Sequence, residues 1–140
     1  MLLEPTSPLT ESTDIDRALE TLDSKRDIAD SIVGVCRVEA AHPLFDVRVN
    51  AVGLIEPYVP GAFARPIRRQ ELDSLYFFEG SLYISKVPVL LNKRGFLHER
   101  TLPYIVPRWK SIEIDEIVDF ICVEAIMKNK DRIHEGKEHG

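Results

Sequence analysis

Residues 31–38, SIVGVCRV, decide the fold class of this chain, because they are almost continuously apolar and rich in β-branched side chains. A strand of this composition is covered on both faces of its sheet, and such strands are usually parallel. Toward the N-terminus, residues 10–24 carry apolar side chains at helical spacing. Together with the apolar pair Leu2 and Leu3, these segments predict a strand–helix–strand unit of an α/β fold.

Residues 1–10, MLLEPTSPLT, have the pattern of the carboxyl end of a buried strand that runs into a turn. A buried strand normally has about four to eight apolar residues, so we expect the chain to begin part-way through a larger enzyme domain. In open α/β sheets, ligands bind at the carboxyl ends of the strands. Thr6 and Ser7 are therefore candidate binding residues beside an anion-favouring helix N-terminus. The alternative is a plain turn.

A change to period-two alternation marks residues 45–50, where apolar Phe45, Val47 and Val49 are separated by polar residues. This alternation is typical of a strand with one wet face. Gly53 can take a positive φ and turn the chain into a return strand at residues 54–58. We therefore predict an antiparallel arm over about residues 43–66 that makes an oligomer contact.

The remaining segments predict further strands and helices. We expect strands at residues 81–85 and 102–106, and helices at residues 87–93 and 116–128. The last helix should bury one apolar stripe, formed by Ile117, Val118, Ile121, Cys122 and Ala125. The predicted organisation is one domain over residues 1–130, with the arm inserted, followed by a polar, frayed tail at 131–140.

Composition narrows the classes of function. The chain has 140 residues, of which 44% are hydrophobic and 29% charged, with a formal net charge of −5. Nucleic-acid binders are normally basic, so we expect no nucleic-acid partner. No apolar run reaches the length of a membrane span, so we expect no membrane partner. Two cysteines without CxxC spacing favour a reduced, cytoplasmic chain.

An acidic pair, Glu113 and Asp115, is the first candidate for chemistry. At positions i and i+2 of a strand, both side chains point to one face. Two carboxylates at the carboxyl end of a strand suit Mg²⁺, which prefers oxygen ligands and keeps waters or substrate phosphates. The alternative is a solvated Glu113 and an Asp115 that only caps the following helix.

The second candidate is the basic stretch Arg68-Arg69-Gln70. Guanidinium groups bind carboxylates and phosphates through two parallel hydrogen bonds, and Gln70 could bind a base or a sugar hydroxyl. The alternative is a solvated basic loop. The four histidines show no metal-ligand spacing, and no nucleophile constellation supports covalent catalysis.

Four segments, in order, resemble the acylneuraminate cytidylyltransferase (CMP-sialic acid synthetase) family: LLEPTSPLT, ADSIVGVCRVEAAHP, RRQELDSLYFFEGSLYIS and SIEIDEIVDF. The resemblance extends to about Lys130. It implies a partial Rossmann-like three-layer fold of the nucleotide-diphospho-sugar transferase type, with an inserted antiparallel dimerisation hairpin. The implied reaction joins a nonulosonic (sialic-type) sugar acid to CTP and releases pyrophosphate.

The resemblance also implies roles for individual residues. Glu113 and Asp115 would hold Mg²⁺ against the phosphates, with Asp115 catalytic, and Arg69 with Gln70 would bind substrate. Glu4 falls where many members carry a substrate-contacting Gln. Phosphoryl transfer of this kind depends on positioning and charge stabilisation. A homodimer through the arm is expected.

Three departures from the family pattern bear on activity. Glu113 stands where many members have Asp, and Thr10 stands where an Arg often follows PTSPL. The Gly-rich loop that holds the CTP phosphates in the family has no counterpart here. We therefore expect the C-terminal portion of such an enzyme, inactive by itself. The alternatives are a non-catalytic truncated paralogue that acts as a dimerisation or regulatory partner, and a different nucleotide-sugar enzyme.

Overall fold

A computed structural model of the chain describes residues 1–39, 41–64, 68 and 72–135. The chain divides into two compact units, one formed by Met1–Cys36 with Phe78–Gly140 and the other by Arg37–Phe77. The predicted arm at residues 43–66 falls within the second unit.

Five strands and four α-helices are present in the described residues. In chain order they are α1 (Ser12–Ser24), β1 (Ser31–Arg37), β2 (Val47–Val49), β3 (Ile55–Pro57), β4 (Tyr76–Ser85), α2 (Val87–Lys93), β5 (Thr101–Val106), α3 (Ile117–Lys128) and α4 (Lys130–Glu135). None of the helices in this described part is long and apolar enough to cross a membrane.

The main sheet has the strand order β4-β1-β5. β1 runs parallel to β5, with Ser31 opposite Thr101 and Cys36 opposite Val106. β4 runs antiparallel to β1, since the N–H of Lys86, just after β4, donates to the carbonyl of Asp30, just before β1, at 2.9 Å. The α/β class and the buried, parallel character of β1 are thus confirmed, in a sheet that is mixed.

The strand predicted at the N-terminus is reduced to one bridge. Leu2 pairs antiparallel with Tyr83 of β4, through backbone hydrogen bonds of 2.8 and 2.9 Å. Because β4 is itself antiparallel to β1, the segment at Leu2 runs in the same direction as β1. The predicted order of an extended segment, a helix and a parallel strand is therefore present, but its first element is a single bridge rather than a strand, and β4 lies between that bridge and β1.

The core of the first unit lies where α1 packs on this sheet. α1 contributes Ala18 and Leu22, and the sheet contributes Ile32 of β1 with Leu82 and Ile84 of β4. All residues of β1 except the last are buried. This arrangement accounts for the continuous apolar sequence of β1, because a central strand is covered on both faces.

The predictions around the last helix are partly wrong. Residues 111–116 form no strand, and the N-cap of α3 is Glu116 rather than Asp115. Asp119 accepts hydrogen bonds from the backbone N–H groups of both Asp115 and Glu116, at 3.1 and 2.9 Å. The predicted buried stripe is exposed, and Val123 is the buried residue of α3. Part of the predicted frayed tail forms α4.

The second unit contains the predicted antiparallel hairpin. Val47 pairs with Pro57 and Val49 with Ile55, while Gly53 turns the chain at φ +83°. The side-chain oxygen of Asn50 accepts the N–H of Leu54 at 2.9 Å and closes the turn. Phe45 lies in a 3-10 helix, Pro43–Phe45, rather than in the strand.

Candidate functional site

The turn at residues 5–8 lies against the segment that carries the acidic pair. The N–H of Ile114 donates to the carbonyl of Thr6 at 2.8 Å, so Glu113 and Asp115 flank a residue bound to the turn. Ser7 is only 4% exposed, and its hydroxyl has no hydrogen-bond partner among the described residues. The structure therefore brings together Thr6, Ser7 and the acidic pair, although the pair lies on a loop rather than on a strand.

Gly80 of β4 is the point at which two carboxylates converge. Its φ is +71°, and a Cβ at this position would lie 3.0 Å from Cδ of Glu113 and 3.2 Å from Oε2 of Glu4. Glycine is the residue that takes this conformation without strain and leaves this space. Glu4 and Glu113 therefore face the same point of β4 from two separate segments of the chain.

No ion pair among the described residues neutralises the carboxylates of Glu4, Glu113 and Asp115. Burial raises the pKa of Glu113, and the charges of Glu4 and Asp115 raise it further. Burial likewise raises the pKa of Tyr83, with Glu4 and Glu113 adding to the effect. Each shift arises because an ionised form is disfavoured by lost hydration and by like charge nearby. A cation placed between the carboxylates would relieve this repulsion.

The donor set fits Mg²⁺ better than a transition metal. In the part of the chain that is described, no three His, Cys, Asp or Glu side chains enclose a metal position. Glu113 and Asp115, with Glu4 nearby, offer carboxylate oxygens alone. Mg²⁺ binds through one or two carboxylates and completes its shell with water and substrate phosphates, so a closed protein cage is not required.

Glu79, which precedes Gly80, is a buried carboxyl that the sequence analysis missed. Its side chain is 1% exposed, and one oxygen accepts hydrogen bonds from the hydroxyl and the N–H of Ser81. The other oxygen has no partner among the residues described. Burial raises the pKa of Glu79, and the charges of Glu113 and Asp14 add to this. A glutamate inside the apolar run YFFEGSLYIS was the available signal.

Lys110 anchors the segment that leads to the acidic pair. It is 6% exposed, and its ammonium group binds Asp14 at 2.5 Å and Glu11 at 2.6 Å. The hydroxyl of Tyr104 donates to the other oxygen of Asp14 at 3.0 Å. Hydrogen bonds from Lys110 and Lys130 lower the pKa of Glu11 to about 2. These bonds tie the start of α1 to the backbone three residues before Glu113.

Two predicted substrate-binding residues, Arg69 and Gln70, lie outside the described residues. Their placement relative to Glu4 and Glu113 therefore stays a prediction.

Most of the chain is similar in sequence to curated bacterial proteins. No protein-family model matches it. Three curated proteins of Streptococcus agalactiae, from serotypes V, III and Ia and all called N-acylneuraminate cytidylyltransferase, are each 32% identical to it over 129 residues. The chain is related to the N-acylneuraminate cytidylyltransferases. The resemblance inferred from the four sequence segments is thereby confirmed, and the relatives are nucleotidyltransferases by name.

The match to these N-acylneuraminate cytidylyltransferases covers most of this chain but only a small part of each relative. It includes 88% of this chain but only 29% of each relative. The chain therefore spans less than a third of the length of the curated relatives that it matches.

Proposed function

We propose that this chain forms part of a cytidylyltransferase that joins a nonulosonic sugar acid to CTP and releases pyrophosphate. The observation that carries the proposal is the convergence of Glu4 and Glu113 at Gly80, beside the turn of Thr6 and Ser7. The relatives named N-acylneuraminate cytidylyltransferase support the same reaction.

In this proposal, Glu113 and Asp115 hold Mg²⁺, which when bound neutralises charge on the nucleotide phosphates. Asp115 is the catalytic member of the pair. The anomeric hydroxyl of the sugar attacks the α-phosphate of CTP and gives up its proton to solvent, while the bond from the α-phosphorus to the oxygen that bridges to the β-phosphate breaks and pyrophosphate leaves from the opposite side. The chain contributes positioning and electrostatics rather than a covalent intermediate.

Substrate binding is assigned to the residues around this pair. The half-buried side chains of Thr6 and Glu4 are assigned to hydroxyl groups of the substrates, and the hydroxyl of Ser7, which is buried and unpartnered among the described residues, joins them only if the turn opens. Arg69 and Gln70 bind the sugar acid, since a guanidinium group holds a carboxylate through two parallel hydrogen bonds. Because CTP is a substrate, we place the protein in the cytoplasm.

The hairpin of β2 and β3 is proposed as the contact of a homodimer. Val49 is 70% exposed, Leu54 65% and Ile55 62%. Exposed apolar patches of this kind usually mark interfaces. A second copy would cover these side chains and bring the two arms together.

A second candidate function is that of a non-catalytic dimerisation or regulatory partner. It is supported by the exposed apolar side chains of the hairpin, Val49, Leu54 and Ile55, which suit an interface whether or not the chain is catalytic. On either candidate, the chain by itself should turn over CTP negligibly.

Pyrophosphate release tests the proposal. The serotype V relative is prepared with the segment that aligns to this chain replaced by the aligned segment of this chain, and is assayed with CTP, Mg²⁺ and a panel of sialic, legionaminic and pseudaminic acids. We expect turnover by this chimera, abolished by Asp115→Asn and retained by the exposed control Asp23→Asn on α1.

Two results would contradict the catalytic proposal. The first is robust turnover by the isolated chain, because another segment would then hold the phosphates. The second is full activity of the Asp115→Asn chimera, because the acidic pair would then have no part in the reaction.

A further inference from the structure

Glu79 is the first buried residue of β4. The three residues before it in the strand are exposed, whereas the side chain of Glu79 is 1% exposed. One of its carboxyl oxygens accepts both the hydroxyl and the N–H of Ser81, the N–H at 3.3 Å. These two bonds pass over Gly80, so the side chain of Glu79 and the residue Ser81 close a hydrogen-bonded ring around the glycine between them, the Glu79–Ser81 ring.

The Glu79–Ser81 ring accounts for the backbone conformation of Gly80. A side chain that accepts the N–H two residues further along the chain fixes the residue between them, as an Asx turn does. Gly80 has a φ of +71°, and glycine in this conformation inside a strand often marks a β-bulge, which re-aims side chains next to active sites. The ring therefore holds Gly80 away from regular strand geometry.

A second glycine leaves the space that the ring occupies. Gly34 lies in β1, next to β4 in the sheet, and a Cβ there would lie 3.1 Å from Cδ of Glu79 and 2.6 Å from Oγ of Ser81. Real Cβ atoms essentially never make contacts under 3.0 Å, so glycine is required. Glycine in a strand interior weakens the strand and often marks a close approach, and here that approach is made by the Glu79–Ser81 ring.

The carboxyl of Glu79 is not arranged for stability alone. Its second oxygen is buried and has no hydrogen-bond partner among the described residues. A buried polar atom without a partner destabilises a fold, and such an atom in a native structure requires an explanation, of which a role in a functional site is one. The residue that the ring encloses, Gly80, supplies that role.

We propose that Glu79 is a positioning residue for Glu113, one of the two carboxylates assigned to Mg²⁺. A Cβ at Gly80 would lie 3.0 Å from Cδ of Glu113 and 3.2 Å from Oε2 of Glu4, so the backbone that the ring holds is the surface on which these two carboxylates meet. Without the ring, Gly80 relaxes toward regular strand geometry and Glu113 loses its fixed place. Glu79 acts through Gly80 and does not itself bind the metal. This inference rests on the proposed function, because it assigns Glu79 to the Mg²⁺ site proposed there.

A double-mutant cycle on the isolated chain tests the ring without any assay of activity. Glu79→Met removes the accepting oxygen, whereas Glu79→Gln keeps one for Ser81. We expect Gly80→Ala to lower the folding equilibrium constant less in Glu79→Met than in the wild type, by a factor of about five or more, because residues that share contacts have coupled effects. In Glu79→Gln, the full effect of Gly80→Ala should remain.

Gly95→Ala is the control for this cycle, since a Cβ at Gly95 meets nothing within 4 Å. Its effect on urea unfolding should be the same in the wild type, Glu79→Met and Glu79→Gln. An equal effect of Gly80→Ala in the wild type and in Glu79→Met would overturn the proposal, because Glu79 would then have no part in holding Gly80.

The chimera described above tests the link from Glu79 to the metal. Mg²⁺ affinity is measured by calorimetric titration in the presence of CTP, and the Mg²⁺ dependence of turnover is measured beside it. We expect Glu79→Met to weaken Mg²⁺ binding by about tenfold or more, as loss of an outer supporting residue typically does, and Glu79→Gln to restore it. The control Ile84→Ala, in the core on the same strand, should lower the melting temperature and leave Mg²⁺ affinity unchanged.

The outcomes separate this inference from the proposed function. Unchanged Mg²⁺ affinity in Glu79→Met, or equal losses of affinity in Glu79→Met and Ile84→Ala, would overturn the positioning role while turnover by the chimera still supported the reaction. A chimera that binds Mg²⁺ without turnover would contradict the proposed reaction, and the Mg²⁺ affinities would still decide the role of Glu79. A chimera that binds no Mg²⁺ would overturn both.

Discussion

Gly80 and Glu113 are packed so closely that a side chain on the glycine would displace the carboxylate: a Cβ at Gly80 would lie 3.0 Å from Cδ of Glu113. The positive φ of Gly80, +71°, gives a second reason for glycine at this position. One backbone position on β4 thus sets where Glu113 stands relative to Glu4.

Gly80→Ala should therefore destabilise the chain by about 1 to 3 kcal/mol, the cost of holding a residue with a side chain in a sparsely populated backbone region. Urea unfolding measures the change. Gly95→Ala is the matched control, because a Cβ at Gly95 meets nothing within 4 Å. Equal losses for the two variants would show that the packing of Glu113 against Gly80 has no energetic consequence.

Asp115→Asn separates metal binding from helix capping. Asp119, rather than Asp115, accepts the backbone N–H groups at the start of α3, so Asp115→Asn should change the free energy of unfolding by less than about 0.5 kcal/mol. Asp119→Ala should lower the free energy of unfolding by about 0.5 to 2 kcal/mol.

The metal-binding role of Asp115 is measured on the chimera. Calorimetric titration with Mg²⁺ and CTP should show that Asp115→Asn weakens binding. Unchanged Mg²⁺ affinity would remove Asp115 from the metal site.

Removing the buried ammonium group of Lys110 should destabilise the fold strongly. Lys110→Met leaves Asp14 buried without its cationic partner, and breaking a buried ion pair from one side typically costs about 3 to 5 kcal/mol. Lys93→Met breaks the exposed pair with Glu99 and should cost less than about 1 kcal/mol. Thermal unfolding of both variants makes the comparison, and similar losses would contradict an anchoring role for Lys110.

Lowering the pH should weaken the ion pair between Glu11 and Lys110. The pKa of Glu11 is lowered from 4.5 to about 2 by Lys110 and Lys130. A lowered pKa stabilises the folded state fully above the unfolded value, and this contribution is lost as the pH falls from about 4.5 toward 2. Glu11→Gln should therefore flatten the fall in stability across that range. An unchanged slope in acid titration of unfolding would rule out this contribution.

Glu79 should have the opposite pH dependence. Burial raises its pKa, so the folded state holds the proton more tightly than the unfolded chain does. Its contribution to stability is present below the ordinary carboxyl pKa and is lost as the pH rises through the raised value. Glu79→Gln should be more stable than the wild type at neutral pH, whereas the exposed control Glu20→Gln should not be. Loss of stability in Glu79→Gln would contradict this assignment.

The fold class was predictable because its signal is local. Three local patterns indicate which faces of a segment are buried: the continuous apolar run of β1, the helical spacing of α1 and the alternation of the hairpin. The four family segments were equally readable, and they led to the relatives that the comparisons found. Of the candidate site, the turn of Thr6 and Ser7 lies against the segment of Glu113 and Asp115, through the hydrogen bond from the N–H of Ile114 to the carbonyl of Thr6, while the roles of these residues stay predictions.

The sequence by itself therefore determined the α/β class and the hairpin, and it singled out Glu113 and Asp115 as candidates for the site. Only the tertiary structure decided that Glu4 reaches Glu113 across Gly80, that Glu79 is buried beside Ser81, and that α3 lies uncovered. The physical reason is that periodicity records which side chains avoid water, whereas the surface that covers them, and the charges that meet there, depend on segments far apart in the chain. Packing over such distances leaves no local pattern.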